Sequence, residues 1–229
     1  MRDPYVLEDG TLKNKLGITD YQELRQAETD IGYVRLINAN QELHEECTPE
    51  FLKRVHKHIF GDIFDWAGEY RTVPLYKTEI VIPGLSLEYA KPKDIEPRLK
   101  SEMEKMKNFD WSRKGIDEIT KSFSSFIAKI WRVHPFRDGN TRAILTFSSI
   151  FAKQHGFEMD MSSLVNHLGR VVDEETGRVT RYSLRDKLVL AALDEKDYPE
   201  PEHFEMLIKQ AIENGINKKI EDLSEIIDR

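Results

Sequence analysis

Two apolar helical patterns, separated by a short polar loop, constrain this chain more than anything else in it. The first carries Phe123, Phe126, Ile127, Ile130 and Trp131, and the second Ala143, Ile144, Phe147, Ile150 and Phe151. Apolar residues recurring three and four apart mark helix faces that seek a core. The loop between them, residues 134–140, is polar and contains Pro135 and Gly139. A loop bracketed by two buried helices is held in register by both, which is how reactive groups are kept in place.

Helical patterns recur along most of the chain. We expect helices over about 21–38, 49–60, 93–107, 114–132, 140–155, 160–170, 182–195 and 202–228. Asp20 followed by Glu23 resembles a capping box at the first of these. Phe51, Leu52, Val55 and Ile59 define one face of the second, and Gly61 can stop it. Residues 70–83 differ. Their short β-branched and aromatic runs read as a small hairpin or extended flap, and Pro74 and Pro83 make a central strand improbable. Residues 173–181 read as a loop or small hairpin. The expected class is mainly α, a helical bundle with a small β-hairpin flap.

The chain has 229 residues, enough for one large domain with a sizeable core. Its net charge of −7 argues against a general nucleic-acid binder, so no DNA or RNA partner is expected. No apolar run precedes the first acidic residues, so a cleavable signal is not expected, and with no apolar run of about twenty residues no membrane span is expected either. Cys47 stands alone, which fits a reducing compartment. The expectation is a cytoplasmic protein, or one exported without a cleaved signal.

The loop chemistry suits a phosphate. Gly139, Asn140 and Thr141 sit where the second helix should begin, and the free N–H groups and dipole of a helix start favour an anion. Arg142 can add a fork of donors to phosphate oxygens. Asp138 is a hard oxygen ligand of the kind that holds Mg2+ against phosphates. His134 can act as a general base near neutral pH. Each residue taken singly has a bland reading, since Asp-Gly-Asn is usually a turn. Together they make a coherent site for attack at phosphorus.

The segment His134-Pro-Phe-Arg-Asp-Gly-Asn-Thr-Arg142 resembles the signature of the Fic family, His-Pro-Phe-x-(Asp/Glu)-Gly-Asn-x-Arg. The run from Ile59 to Arg71, the Asp3-Pro-Tyr start and the segment Leu12 to Gly17 also look like bacterial members. The resemblance covers about residues 3–215. It implies a Fic domain over 1–215, with an N-terminal extension (1–40), a flap (about 70–83) and a core motif (134–142), followed by a helical tail (216–229). It also implies AMPylation: AMP from ATP is transferred, with Mg2+, to a Ser, Thr or Tyr hydroxyl of a target protein. By position, His134 would deprotonate the hydroxyl and Asp138 would hold Mg2+. Gly139, Asn140 and Thr141 would line the anion hole. Arg137 and Arg142, with Lys77 and Thr78 in the flap, would contact the nucleotide. The flap, 73–83, would pair with an extended segment of the target.

The sequence departs from the family pattern in places. Leu145 stands where many members carry a second arginine, Thr141 replaces a commoner glycine, and Asp138 replaces glutamate. Glu213-Asn214 lies where one subclass places an inhibitory glutamate, but Lys209 stands where that motif has Ser or Thr. Glu213 reads equally as a brake and as a solvated helix residue paired with Lys209. Alternative readings keep the fold but transfer a phosphate or another nucleotide, remove AMP, or use the module only for binding. His44, Cys47, His56 and His58 do not have zinc-module spacing and read as structural.

Overall fold

The structure is a computed structural model that describes residues 3–77, 79–165, 167 and 169–227. Its helices are α1 (Tyr21–Glu42), α2 (Pro49–Phe60), α3 (Ile95–Asn108), α4 (Ile116–Val133), α5 (Asn140–Gln154), α6 (Ser162–Val165), α7 (Leu184–Ala191) and α8 (Glu202–Ile227). The one sheet among the described residues pairs β1 (Val171–Val172) with β2 (Val179–Arg181) in antiparallel register. The fold is mainly α, as the periodicity predicts. None of its helices is long and apolar enough to cross a membrane, among the described residues.

The chain divides into two compact units. The first comprises residues 1–75, 89–103 and 133–150. Within it α1 packs on α2. Asp20 caps α1 by accepting the Glu23 N–H at 2.9 Å, and Thr48 caps α2 by accepting the Phe51 N–H at 3.1 Å. Pro49 at the start of α2 sacrifices only an N–H that has no helical partner. Behind these caps Phe51, Leu52, Val55, Ile59 and Phe60 are all buried, each contributing about 1.5–3 kcal/mol of burial. Phe136, Ile144 and Phe147 complete this core, with Phe147 6.0 Å from Phe51, ring centre to ring centre.

The second unit comprises residues 76–88, 104–132 and 151–229. An aromatic cluster forms its centre, with Trp111 edge-on to Phe123 at 5.7 Å and to Phe151 at 5.8 Å. Both α6 and α7 pack on α8. Gly215 lets α8 press against the chain at Glu158, because a Cβ there would meet the Glu158 carbonyl oxygen. The same approach brings the Asp160 N–H to the Ala211 carbonyl at 2.8 Å.

Residues 70–83 form turns and extended backbone, with no strand among the described positions. Pro74 and Pro83 withhold N–H donors that a ladder would need. The hairpin lies instead at 171–181, around Gly177 in the left-handed region at φ 67°. Between 160 and 170 the helix is shorter than its pattern suggested, covering Ser162–Val165; residues 166 and 168 lie outside the described residues.

Candidate active site

The loop 134–139 joins α4 to α5 inside the first unit, and three devices hold it. The first is Asn140, the opening residue of α5. Its buried amide accepts the Phe136 N–H at 2.9 Å and donates to the Phe136 carbonyl at 2.8 Å. Its side chain therefore closes the loop, and what it can offer an anion is its backbone. The second is Gly139, at φ 74° and packed so closely on Phe60 that a Cβ would run into the ring. Only glycine takes that turn without strain or clash.

The third device is Arg71. This residue is buried, and its guanidinium donates to four main-chain carbonyls: His134 at 2.8 Å, Val73 at 2.8 Å, Val133 at 3.5 Å, and Ala90. Its own N–H donates to the Pro135 carbonyl at 2.9 Å. Burial lowers its pKa from the ordinary guanidinium value, although so basic a group keeps its charge. The carbonyl dipoles stand in for the water it has lost. Held this way, His134 sits at φ 50°, in the left-handed region that non-glycine residues seldom occupy. Its ring is buried and stacks on Tyr89 at 4.1 Å. A strained backbone that its surroundings over-determine is a mark of functional positions.

His56 of α2 supports the loop from beneath. It accepts the Gly68 N–H on Nδ1 at 2.9 Å, which leaves Nε2 as the donor to the Asp138 carbonyl at 3.0 Å. The ring stacks on Phe136 at 3.8 Å. Burial lowers its pKa to about 3, outweighing the hydrogen bond to Asp138, which raises it. This is the structural role expected for it. An unfolded His56 would bind a proton near pH 6.5, whereas the folded one stays neutral down to about 3. Between those values the unfolded state holds more protons. Stability is intact above about 6.5 and is lost as pH falls, by up to about 1.4 kcal/mol per pH unit. Urea midpoints at pH 7 and pH 5 should show this loss. His56→Gln should be less stable at pH 7 but flatter between the two, and an equal slope in both proteins would sink the assignment.

The charged residues of the loop also have partners. Asp138 is half-buried, and its Oδ1 accepts the Gly139 N–H at 2.6 Å. Arg137 is tied to Asp3 at 2.8 Å. Arg142 pairs with Glu28 of α1 at 2.7 Å and lies over the Phe60 ring at 4.4 Å. Thr141 is half-buried in the first turn of α5. Thus His134, Arg137, Asp138, Gly139, Asn140, Thr141 and Arg142 share one loop and one helix start. Leu145, one turn further along α5, is buried in the core.

The remaining candidates belong to the second unit. Lys77 is half-buried there, and Thr78 lies outside the described residues. Beside them Glu79 is buried and paired with Arg185, which lies over the Trp131 ring at 5.4 Å. This carboxylate anchors a segment whose Tyr76 and Ile80 are exposed. Glu213 is exposed, 4.0 Å from Lys209 four residues earlier, which in turn pairs with Asp117 at 2.6 Å. The surroundings of Glu213 are those of a solvated helix residue. Among the described residues no cluster of three or more His, Cys, Asp and Glu side chains could hold a metal alone.

Residues 46–152 match the model of the Fic/DOC family. Among known proteins it is similar to protein adenylyltransferase VbhT of Bartonella schoenbuchensis, at 26% identity over 69% of this chain and 32% of that protein. Most of VbhT thus lies beyond the matched part. Probable protein adenylyltransferase y4lH of Sinorhizobium fredii is 29% identical over 67% of this chain and 76% of its own length. Among solved structures, BepC of Bartonella tribocorum superposes with a TM-score of 0.70 at 18% identity, covering 90% of this chain and 95% of that one. The Fic domain of an effector from Bartonella sp. AR 15-3 gives 0.63 at 26% identity, covering 91% and 88%.

Proposed function

We propose that this chain is a protein adenylyltransferase that moves AMP from ATP onto a Ser, Thr or Tyr hydroxyl of a target protein. The observation that carries the reading is the loop itself. A buried histidine, locked in an unusual backbone conformation, stands one short loop before the start of a 15-residue helix that bears an arginine in its first turn. That arrangement supports attack at phosphorus, and the names of the relatives support adenylyl transfer in particular. The BepC structure holds AMPPNP, which supports a nucleotide in this fold.

In this mechanism the target hydroxyl oxygen attacks the α-phosphorus of ATP. His134 takes the hydroxyl proton as the new P–O bond forms. The bond from the α-phosphorus to the bridging oxygen breaks, and pyrophosphate leaves with that electron pair. A positioned base supplies about 10²–10⁴ of the rate. The start of α5 and Arg142 stabilise the charge that grows on the phosphate oxygens. Gly139 lets the backbone approach, and Arg137, held in place by Asp3, contacts the nucleotide. Lys77 and Thr78 contact the nucleotide, and the flap at 73–83 takes an extended segment of the target.

Asp138 fits Mg2+. It is a half-buried carboxylate, and one of its oxygens accepts the Gly139 N–H. Mg2+ takes one or two carboxylates and fills its shell with phosphate oxygens and water. When bound, the ion would neutralise charge on the phosphates, with Asp138 as its protein ligand.

The buried Leu145 favours a second reading, because no cation at that position can hold a γ-phosphate. Another nucleotide, or transfer of the γ-phosphate itself, then competes with AMP transfer. Incubation with cell lysate and Mg2+, using ATP labelled at either the α- or the γ-phosphate, separates these outcomes. Protein label from α-labelled ATP alone is expected. Label from γ-labelled ATP alone would replace the proposal with a kinase. No label from either would overturn both.

A further inference from the structure

We propose that Glu28 is a positioning residue for the nucleotide: it presents the Arg142 guanidinium to the phosphates from a helix outside the matched Fic region. This rests on the reading of the loop as an ATP site. Glu28 lies on α1, whereas the family match begins at residue 46. Its side chain is 2% exposed, and its Oε2 accepts Arg142 Nη2 at 2.7 Å. Its main-chain carbonyl accepts Arg142 Nη1 at 3.4 Å. One residue therefore grips two arms of the fork, while Phe60 stacks on its plane at 4.4 Å. A guanidinium has five N–H donors. The rest of the fork remains for an anion at the first turn of α5.

Charge arithmetic favours orientation over neutralisation. Arg25, three residues before Glu28, also approaches Oε2 at 3.4 Å, so Glu28 is shared between two guanidiniums and is not a one-to-one counter-ion of Arg142, and the Asp138 charge also acts on it. Burial pushes the Glu28 pKa above the usual carboxylate value, and the hydrogen bond from Arg142 opposes that shift. Such a carboxylate is costly to bury and is stable only while its partner stays in place. Gly32, one turn further along, faces the same guanidinium; a Cβ there would be in ordinary van der Waals contact with Nη1, at 3.5 Å.

The test is a double-mutant cycle on the full chain, read as Mg-ATP affinity by titration calorimetry and as kcat and KM for AMP transfer. Glu28→Gln keeps size and hydrogen bonding but removes the charge. It should weaken Mg-ATP binding about ten-fold and raise KM to match, with kcat at saturating ATP changed much less. In an Arg142→Gln background the same substitution should change affinity less than about two-fold, because its target is gone. Glu28→Asp, which keeps the charge on a shorter arm, should fall between. Circular dichroism at the assay temperature checks that each variant is folded. Equal losses in both backgrounds would show Glu28 acting independently of Arg142 and overturn the proposal. So would unchanged or tighter binding in Glu28→Gln, the latter meaning that Glu28 competes with phosphate for Arg142. A wild-type chain that binds Mg-ATP but labels no protein would sink the transfer reading while leaving this one to stand or fall on affinity.

Discussion

His134→Asn is expected to slow AMP transfer by about a thousand-fold while leaving Mg-ATP affinity within a few-fold of wild type. The choice of asparagine follows from the backbone. His134 sits at φ 50°, a conformation that costs an ordinary L-residue about 1–2 kcal/mol, so an alanine left without the ring contacts would blur loss of the base with loss of the loop. Asparagine tolerates that conformation better than other non-glycine residues and offers no group that accepts a proton near neutral pH. The stack on Tyr89 is lost, so a melting temperature lower by a few degrees is expected. Initial rates with α-labelled ATP, set beside a calorimetric titration, separate chemistry from binding. A variant that retains a tenth or more of the wild-type rate would remove His134 from the role of base.

How legible this site was in the sequence depends on how local its parts are. The whole of α2 could be bounded in advance, because Thr48, Pro49, the apolar face from Phe51 to Ile59 and Gly61 are all signals within one short stretch. The loop was legible for the same reason, since His134 to Arg142 is contiguous. Its supports were not. Asp3, Glu28, His56, Arg71 and Tyr89 reach it from far away in sequence, and nothing in their immediate neighbours marks them. Glu28 left a faint trace, with Arg25 and Gly32 three before and four after it on one helix face. Arg71 left less, because a lone arginine in a turn-rich stretch normally faces water. Of the two readings of residues 70–83, the extended one matches the described positions and the hairpin does not. The β-branched residues there favour extended backbone, but pairing requires an unbroken row of donors that Pro74 and Pro83 interrupt. The end of α1 was placed early, at about residue 38, although no glycine or proline marks a stop there, and the helix runs on to Glu42.

Arg71→Met should destabilise the folded chain by about 3–5 kcal/mol and lower activity even where the variant is folded. Methionine fills much of the same space, so the loss comes from polar groups, not from a cavity. Three carbonyls lie close to the guanidinium, those of Val73, Ala90 and His134, with that of Val133 at the limit. Each buried acceptor left without a donor costs about 1–3 kcal/mol. Relief of the buried charge returns part of that sum. Set against a total stability of about 5–15 kcal/mol, the deficit is large, and at roughly 2–4 °C per kcal/mol it should lower the melting temperature by about 6–20 °C. Arg71→Lys is the informative companion. It keeps the charge but has three donors on one nitrogen, which cannot span carbonyls on separate segments. Its stability should fall between the other two. Its kcat should drop more than its affinity for Mg-ATP, because the His134 carbonyl loses its clamp while the start of α5 is untouched. Urea titrations followed at 222 nm, with initial rates taken well below the melting point, give both quantities. A loss below about 1 kcal/mol in Arg71→Met would mean that water replaces the guanidinium at those carbonyls. The strained backbone of His134 would then have to be held by the turn through Pro135 and the Asn140 clasp alone.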